Sequence, residues 1–182
     1  MRYVALLRGI NVGGKNLIRM ADLKAAFEAH GFDDVSTYIQ SGNVLFGAPR
    51  QSSRTLSARI ETLLTDAFGT AATVVVRSHV QLRAVVGGAP RGFGSDPQTY
   101  RYDVVFLKQP VTGTAALATI RTKPGVDEAH AGKGVLYFAR LEAKATQSRL
   151  NSIVASPVYP YVTIRNWNTT TKLLALLDAP SR

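Results

Sequence analysis

Residues 1–78 alternate short apolar runs with stretches of helical spacing in the order βαββαβ, and residues 101–182 run through that order again. Few folds accommodate such a pattern. Two strands that bracket a helix, followed by a hairpin strand, give the split βαβ arrangement of ferredoxin-like domains. Residues 3–7 suit a buried strand, and the Gly-rich stretch 9–15 ends it. Over 21–30, Leu23, Ala26 and Phe27 share a helical face, and Gly31 stands where a C′ glycine stops a helix. Strands over 35–40 and 43–46 flank Ser41-Gly42, which reads as a tight hairpin turn. Ser52 or Ser53 caps a helix in which Leu56, Ile60, Leu63, Leu64 and Phe68 recur at helical spacing. Residues 73–77 supply the last strand.

The second pass follows a short helix over 79–86 and a Gly/Pro-rich loop over 87–98. Arg101-Tyr102 followed by residues 104–107 echoes Arg2-Tyr3 followed by residues 4–7. A helix over 114–120, strands over 126–130 and 135–140, a helix over 145–154 and a strand over 161–165 complete the order. A helix over 169–177 is extra. The expected fold is therefore α+β: two ferredoxin-like (βαββαβ) subdomains packed together, the product of internal duplication. Residues 1–78 form the first subdomain, 79–100 the bridging helix and loop, and 101–182 the second subdomain with the extra helix.

Composition narrows the class. Apolar residues make up 46% and charged residues 19%, close to globular averages and unlike disordered or coiled-coil chains. No apolar run approaches the ~20 residues of a membrane span, and the apolar start is too short for a signal peptide. With no cysteine, thiolate catalysis and Cys-ligated metal sites are excluded. These features imply a soluble cytoplasmic protein. The net charge is +10, with 13 basic and 6 acidic residues in 79–182 against 9 and 6 in 1–78. An excess of that size attracts polyanions. The bias of 15 Arg to 7 Lys also matches GC-rich codon usage, and no run of like charges marks a binding tail.

Three constellations carry candidate chemistry. The first, RGINVGGKN (8–16), offers Arg8, Asn11, Gly13, Gly14 and Lys15 directly after a strand. Glycines let the backbone turn its N–H groups toward an anion. Gly9 to Lys15 matches the G-x-x-x-x-G-K of a P-loop, but Asn16 replaces the Mg²⁺-binding Ser or Thr and no helix begins at the lysine. A turn permitted by glycine and an anion cradle both remain open. The second, YIQSGNV (38–44), sets Ser41 and Asn43 on a hairpin tip, either as strand caps or as ligand contacts. The third, RNWNTTTK (165–172), joins Arg165, Asn166, Trp167, Asn168, Thr169 and Lys172. Asn168 or Thr169 can cap the last helix, and Trp167 can stack on a ligand or fix the helix by packing.

The runs RGINVGGKN, YIQSGNVLF and RNWNTTTKL together resemble the bacterial family catalogued as domain of unknown function 1697. Ser148-Arg149-Leu150 departs from the Ser-Lys-Leu of many relatives, and the 87–98 loop is this chain's own. The resemblance implies two ferredoxin-like halves and no established activity.

No catalytic residue, metal site or cofactor is implied: His30, His79 and His130 are far apart, and the hydrolase and zincin motifs are missing. Asp127, Glu128 and His130 read as a solvated strand edge. The functional expectation is a soluble protein that binds a phosphate- or carboxylate-bearing small molecule, with segments 8–16 and 165–172 close together and Ser41 and Asn43 nearby. A single-stranded nucleic-acid or RNA binder is the alternative, and it requires Tyr3, Phe46, Phe106, Tyr137 and Phe138 exposed on the central strands. A scaffold without catalysis is the third. Oligomeric state is left open by the sequence.

Overall fold

The computed structural model describes residues 1–11 and 17–180. The first half runs β1 (Arg2–Arg8), α1 (Met20–Ala29), β2 (Asp33–Tyr38), β3 (Asn43–Gly47), α2 (Ser53–Phe68), β4 (Thr73–Ser78) and α3 (His79–Gly87). The second runs β5 (Tyr100–Leu107), α4 (Gly113–Thr119), β6 (Asp127–Gly132), β7 (Val135–Leu141), three 3₁₀ segments, β8 (Val162–Asn166) and α5 (Trp167–Asp178). Two four-stranded sheets result, ordered β2-β3-β1-β4 and β6-β7-β5-β8, antiparallel throughout. The fold is the α+β arrangement that the split βαβ pattern requires. No helix among the described residues is long and apolar enough to cross a membrane.

The chain divides into two compact units, Met1–Arg83 with Lys172–Arg182, and Ala84–Thr171. In the first, Tyr3, Ala5, Leu7, Val44, Phe46, Val74 and Val76 point from one face of the sheet into a core closed by Leu23 and Phe27 of α1 and by Leu56, Ile60, Leu63 and Leu64 of α2. Ser52 starts α2 by accepting a hydrogen bond from the Thr55 N–H, and Gly69 ends it in a left-handed conformation. In the second unit, Val105, Leu107, Leu136, Phe138 and Val162 form the corresponding core.

The two sheets share one register. The Leu7 N–H donates to Gly42 O at 2.8 Å and the Leu107 N–H to Gly134 O at 3.0 Å, closing equivalent hairpin ends. Tyr3 lies between Phe46 and Ser78, and Asp103 lies between Phe138 and Asn166. Ser78 and Asn166 directly precede α3 and α5, and each caps its helix. Ser78 Oγ accepts from the Gln81 N–H at 3.2 Å, while Asn166 Oδ1 accepts from the Thr169 N–H at 2.7 Å. Gln81 Oε1 also accepts from the Ser78 N–H at 2.9 Å, completing a capping box. Val4 and Val104 are thus equivalent, so the Arg-Tyr echo is out of register by one residue and Asp103 takes the place of Tyr3. The closing helix is no extra element either: it is the counterpart of α3.

Three sequence expectations are corrected. The 145–154 helix is absent; 3₁₀ segments cover Glu142–Gln147 and Leu150–Ala155, with a third at Tyr159–Tyr161. Leu150 and Ile153 point inward from them, a spacing of three that matches the 3₁₀ turn. The β2–β3 connection is a four-residue turn rather than Ser41-Gly42 alone, with Ile39 at φ 49° and Gly42 at φ 72°. A Cβ on Gly42 would lie 2.9 Å from that of Leu7, so glycine is required there on steric as well as conformational grounds. Finally, α5 begins at Trp167 and is capped by Asn166, not by Asn168 or Thr169.

Candidate functional site

The candidate residues of the first unit are largely braces. Asn11, at φ 53°, donates from Nδ2 to Ile18 O at 3.0 Å and Gln40 O at 3.2 Å, and its Oδ1 accepts from the Ile18 N–H at 2.7 Å. One amide thereby ties the strand end to the start of the α1 segment and to the hairpin. Asn43, fully buried, donates to Tyr38 O at 3.1 Å and to Ser41 Oγ at 2.8 Å, holding the turn closed. Arg8 donates to Thr73 Oγ1 at 2.8 Å. Gly13, Gly14 and Lys15 lie outside the described residues. The expected neighbourhood of segments 8–16 and 165–172 rests in part on them.

In the second unit the structure brings Asn166, Trp167 and Asn168 together at an open cleft of ≈ 360 Å³. Pro97, Tyr100, Arg101, Tyr102, Asp103 and Arg140 complete its lining. The topology explains the opening. The last registered pair between β5 and β8 is Asp103 with Asn166, so residues 100–102 have β7 on one side and no strand on the other. At that point β8 turns into α5, and the first turn of the helix borders the gap. The other three residues of the motif stand apart: Thr169 is buried with its N–H held by Asn166, and Lys172 is exposed five residues along α5, about 7.5 Å from the helix start. Arg165 is also buried, donating to Ile164 O at 2.8 Å and Thr163 Oγ1 at 2.9 Å. Burial pulls its guanidinium down to about 10.

Two ion pairs flank the cleft. Arg101 and Glu142 form an exposed bidentate pair, which raises the guanidinium and lowers the carboxyl. Asp103 is 8% exposed and lies 3.1 Å from an Arg140 guanidinium nitrogen. That contact lacks hydrogen-bond alignment: Asp103 Oδ2 and Arg140 Nε have no hydrogen-bond partner. Burial raises Asp103 above the usual carboxylate range, against the lowering pull of Arg140 and Arg101.

The aromatic side of the cleft is built on the 87–98 loop. Phe93 meets Trp167 edge-on, with ring centres 5.1 Å apart, and also packs on Tyr102 at 4.9 Å and Tyr137 at 5.4 Å. Gly94, at φ 84°, lies so close that a Cβ would stand 2.2 Å from Trp167 Nε1. The loop therefore positions the indole, while Tyr100 and Tyr102 line the cleft from β5, with ring centres 6.0 Å apart.

At the equivalent corner of the first half, Tyr3 stacks on Phe46 with ring centres 5.5 Å apart, and buried Ala48 takes the position of Arg140. The Tyr3 hydroxyl accepts from the Gln51 N–H at 3.1 Å. One copy of the fold has an apolar corner here and the other has a charged pair beside an opening.

Other expected features take different places. Tyr3, Phe46, Phe106, Tyr137 and Phe138 are all buried, so the rings that a sheet-surface RNA platform uses are not exposed. Asp127 is not a solvated edge residue: it is buried, and its Oδ2 accepts from the Lys123 N–H at 2.9 Å and the Arg149 N–H at 2.8 Å. It staples the 3₁₀ region to β6.

The family model of proteins of unknown function, DUF1697, matches residues 1–137. The chain belongs to this family. A solved structure of the conserved bacterial protein SP0830 from Streptococcus pneumoniae is similar over 97% of this chain and 98% of that chain, at 26% identity and a TM-score of 0.82. No curated protein matches the chain.

Proposed function

We propose that the second unit binds a small phosphate- or carboxylate-bearing ligand in the cleft beside the start of α5. The observation that supports this most is the contrast between equivalent corners: Tyr3 with Ala48 in one half, Asp103 with Arg140 in the other. Desolvation offsets most of the attraction in a buried ion pair, so the apolar solution is the more stable one. A fold that keeps the apolar corner once and gives it up once points to selection for something other than stability. The first-turn N–H groups of a helix carry partial positive charge and favour anions. Asn168 adds an amide there, and Arg101 and Arg140 add guanidinium groups. In this reading the protein acts in the cytoplasm as a binding protein, and no side chain of the cleft is assigned a proton-transfer role.

Calorimetric titration of the full chain with inorganic phosphate and pyrophosphate at low ionic strength tests the reading. Binding in the micromolar to millimolar range is expected. Asn168→Asp is the informative variant, because an acid in the first turn stabilises the helix yet repels an anion. Unchanged or raised melting with lost binding supports the site. An absence of binding by the wild type, or wild-type affinity in Asn168→Asp, overturns it.

A further inference from the structure

We infer that the ligand of this cleft carries a planar nitrogenous ring as well as its anion, so that one nucleoside 5′-phosphate unit, free or at the end of a single strand, is the chemistry that matches. The inference rests on the anion-binding reading and adds the ring to it.

Three aromatic side chains, Tyr100, Tyr102 and Trp167, line the same cleft as the helix start. Two of them are held in place by neighbours. Phe93 and Gly94 fix the indole, and Phe93 also packs edge-on against Tyr102. Rings held in advance lose little freedom when a flat ligand lies against them.

The polar groups suit a base and not a plain aromatic acid. The side-chain amide of Asn168 presents a donor and an acceptor, the complement of a heterocycle edge that carries both. Asn166 Oδ1 is already engaged by the Thr169 N–H, so its Nδ2 is the group left to serve a ligand acceptor. Behind them Asp103, 8% exposed, faces the Arg140 guanidinium at 3.1 Å, and its Oδ2 has no aligned hydrogen bond. Such a group is tolerated where a ligand or a local rearrangement satisfies it. The size agrees: ≈ 360 Å³ lies at the low end of ligand pockets, enough for one ring-bearing unit and too small for several.

The test compares ligands that share the anion and differ in the ring. Calorimetry on the full chain uses each of the four common ribonucleoside 5′-monophosphates, ribose 5-phosphate and inorganic phosphate. At least one nucleotide is expected to bind roughly tenfold or more tightly than ribose 5-phosphate, the gain that base stacking on an aromatic ring supplies. Tyr100→Ala, at a half-buried position, is expected to remove that advantage and leave ribose 5-phosphate unaffected. Trp167→Leu should do the same, and Tyr100→Ala decides the matter if Trp167→Leu does not fold. Equal affinity for nucleotides and ribose 5-phosphate overturns the ring and leaves the anion site standing, whereas binding of none of these compounds overturns the anion reading itself. A 5′-phosphorylated tetranucleotide separates the two sources: affinity well above that of the mononucleotide assigns the unit to a strand, and equal affinity assigns it to a free nucleotide.

Discussion

Arg77 and Arg165 hold the same position in the two sheets, opposite Val4 and Val104, and each donates to the carbonyl of the residue before it, at 2.9 Å and 2.8 Å. Burial pulls both guanidinium groups down to about 10. A charge buried in this way persists only where its hydrogen bonds are made. Arg77→Met and Arg165→Met are each expected to cost about 1–3 kcal/mol by stranding those acceptors, a fall of several degrees in Tm. Thermal melts of the two variants should show losses of similar size; an unchanged Tm in either would contradict the shared role.

Asp103 and Arg140 respond differently to single and double replacement. Asp103→Leu alone leaves a half-buried guanidinium without its carboxylate and should destabilise by about 3 kcal/mol. Asp103→Leu with Arg140→Met recreates the kind of apolar corner that Tyr3 and Ala48 make, and its stability should equal or exceed that of the wild type. Chemical denaturation of the set checks this. A double variant less stable than both single variants would show that the pair is structural and would remove the main support for the site.

The helix caps offer a test of the repeat. Ser78→Ala and Asn166→Ala should each lose ~1 kcal/mol, whereas Asn166→Ser should be nearly neutral, since serine and asparagine cap equally well. Equilibrium unfolding in urea would show the difference. A loss in Asn166→Ser as large as that in Asn166→Ala would mean that Asn166 has a role beyond capping.

Acid weakens two exposed clasps. Hydrogen bonds from Arg83 and His79 hold Asp178 below the usual carboxylate range, and Arg101 does the same for Glu142. A carboxyl whose folded pKa is depressed contributes stability above its unfolded pKa and loses it as pH falls through the folded value. The two contributions are therefore present at neutral pH and disappear below about pH 4. Melting curves between pH 7 and pH 2 should fall less steeply for Arg83→Gln and Arg101→Gln than for the wild type. Parallel curves would assign no stability to either clasp.

Much of the fold is legible in the chain because local signals and tertiary pairing agree. Ser52, the Leu56–Phe68 periodicity and the apolar strands each mark the element that forms. The 145–154 segment shows where agreement fails: only Leu150 and Ile153 turn inward, three positions apart, and Ser156-Pro157 closes it, so a 3₁₀ path forms in place of an α-helix. The candidate site was half legible. Asn166, Trp167 and Asn168 stood out because unusual side chains gather at a helix start. Arg101-Tyr102 reads as a strand start echoing Arg2-Tyr3, Tyr100 and Asp103 carry no local signal, and the one-residue slip that puts Asp103 in the core position shows only once the register is known. Arg140 lies on another strand, and nothing local connects it to Asp103.

The 3₁₀ segments that stand in for α2 have a consequence for local opening. In the first half a 16-residue helix covers the core alongside α1, and its amides exchange with solvent only when several turns melt together. In the second half the same task falls to short segments, one carrying Leu150 and Ile153 inward and the next preceded by buried Val158, each with few backbone bonds of its own. Each such segment can lift without the others. Deuterium should enter residues 142–161 well before it enters α2, and the earliest native-state openings should uncover the second core while the first stays closed.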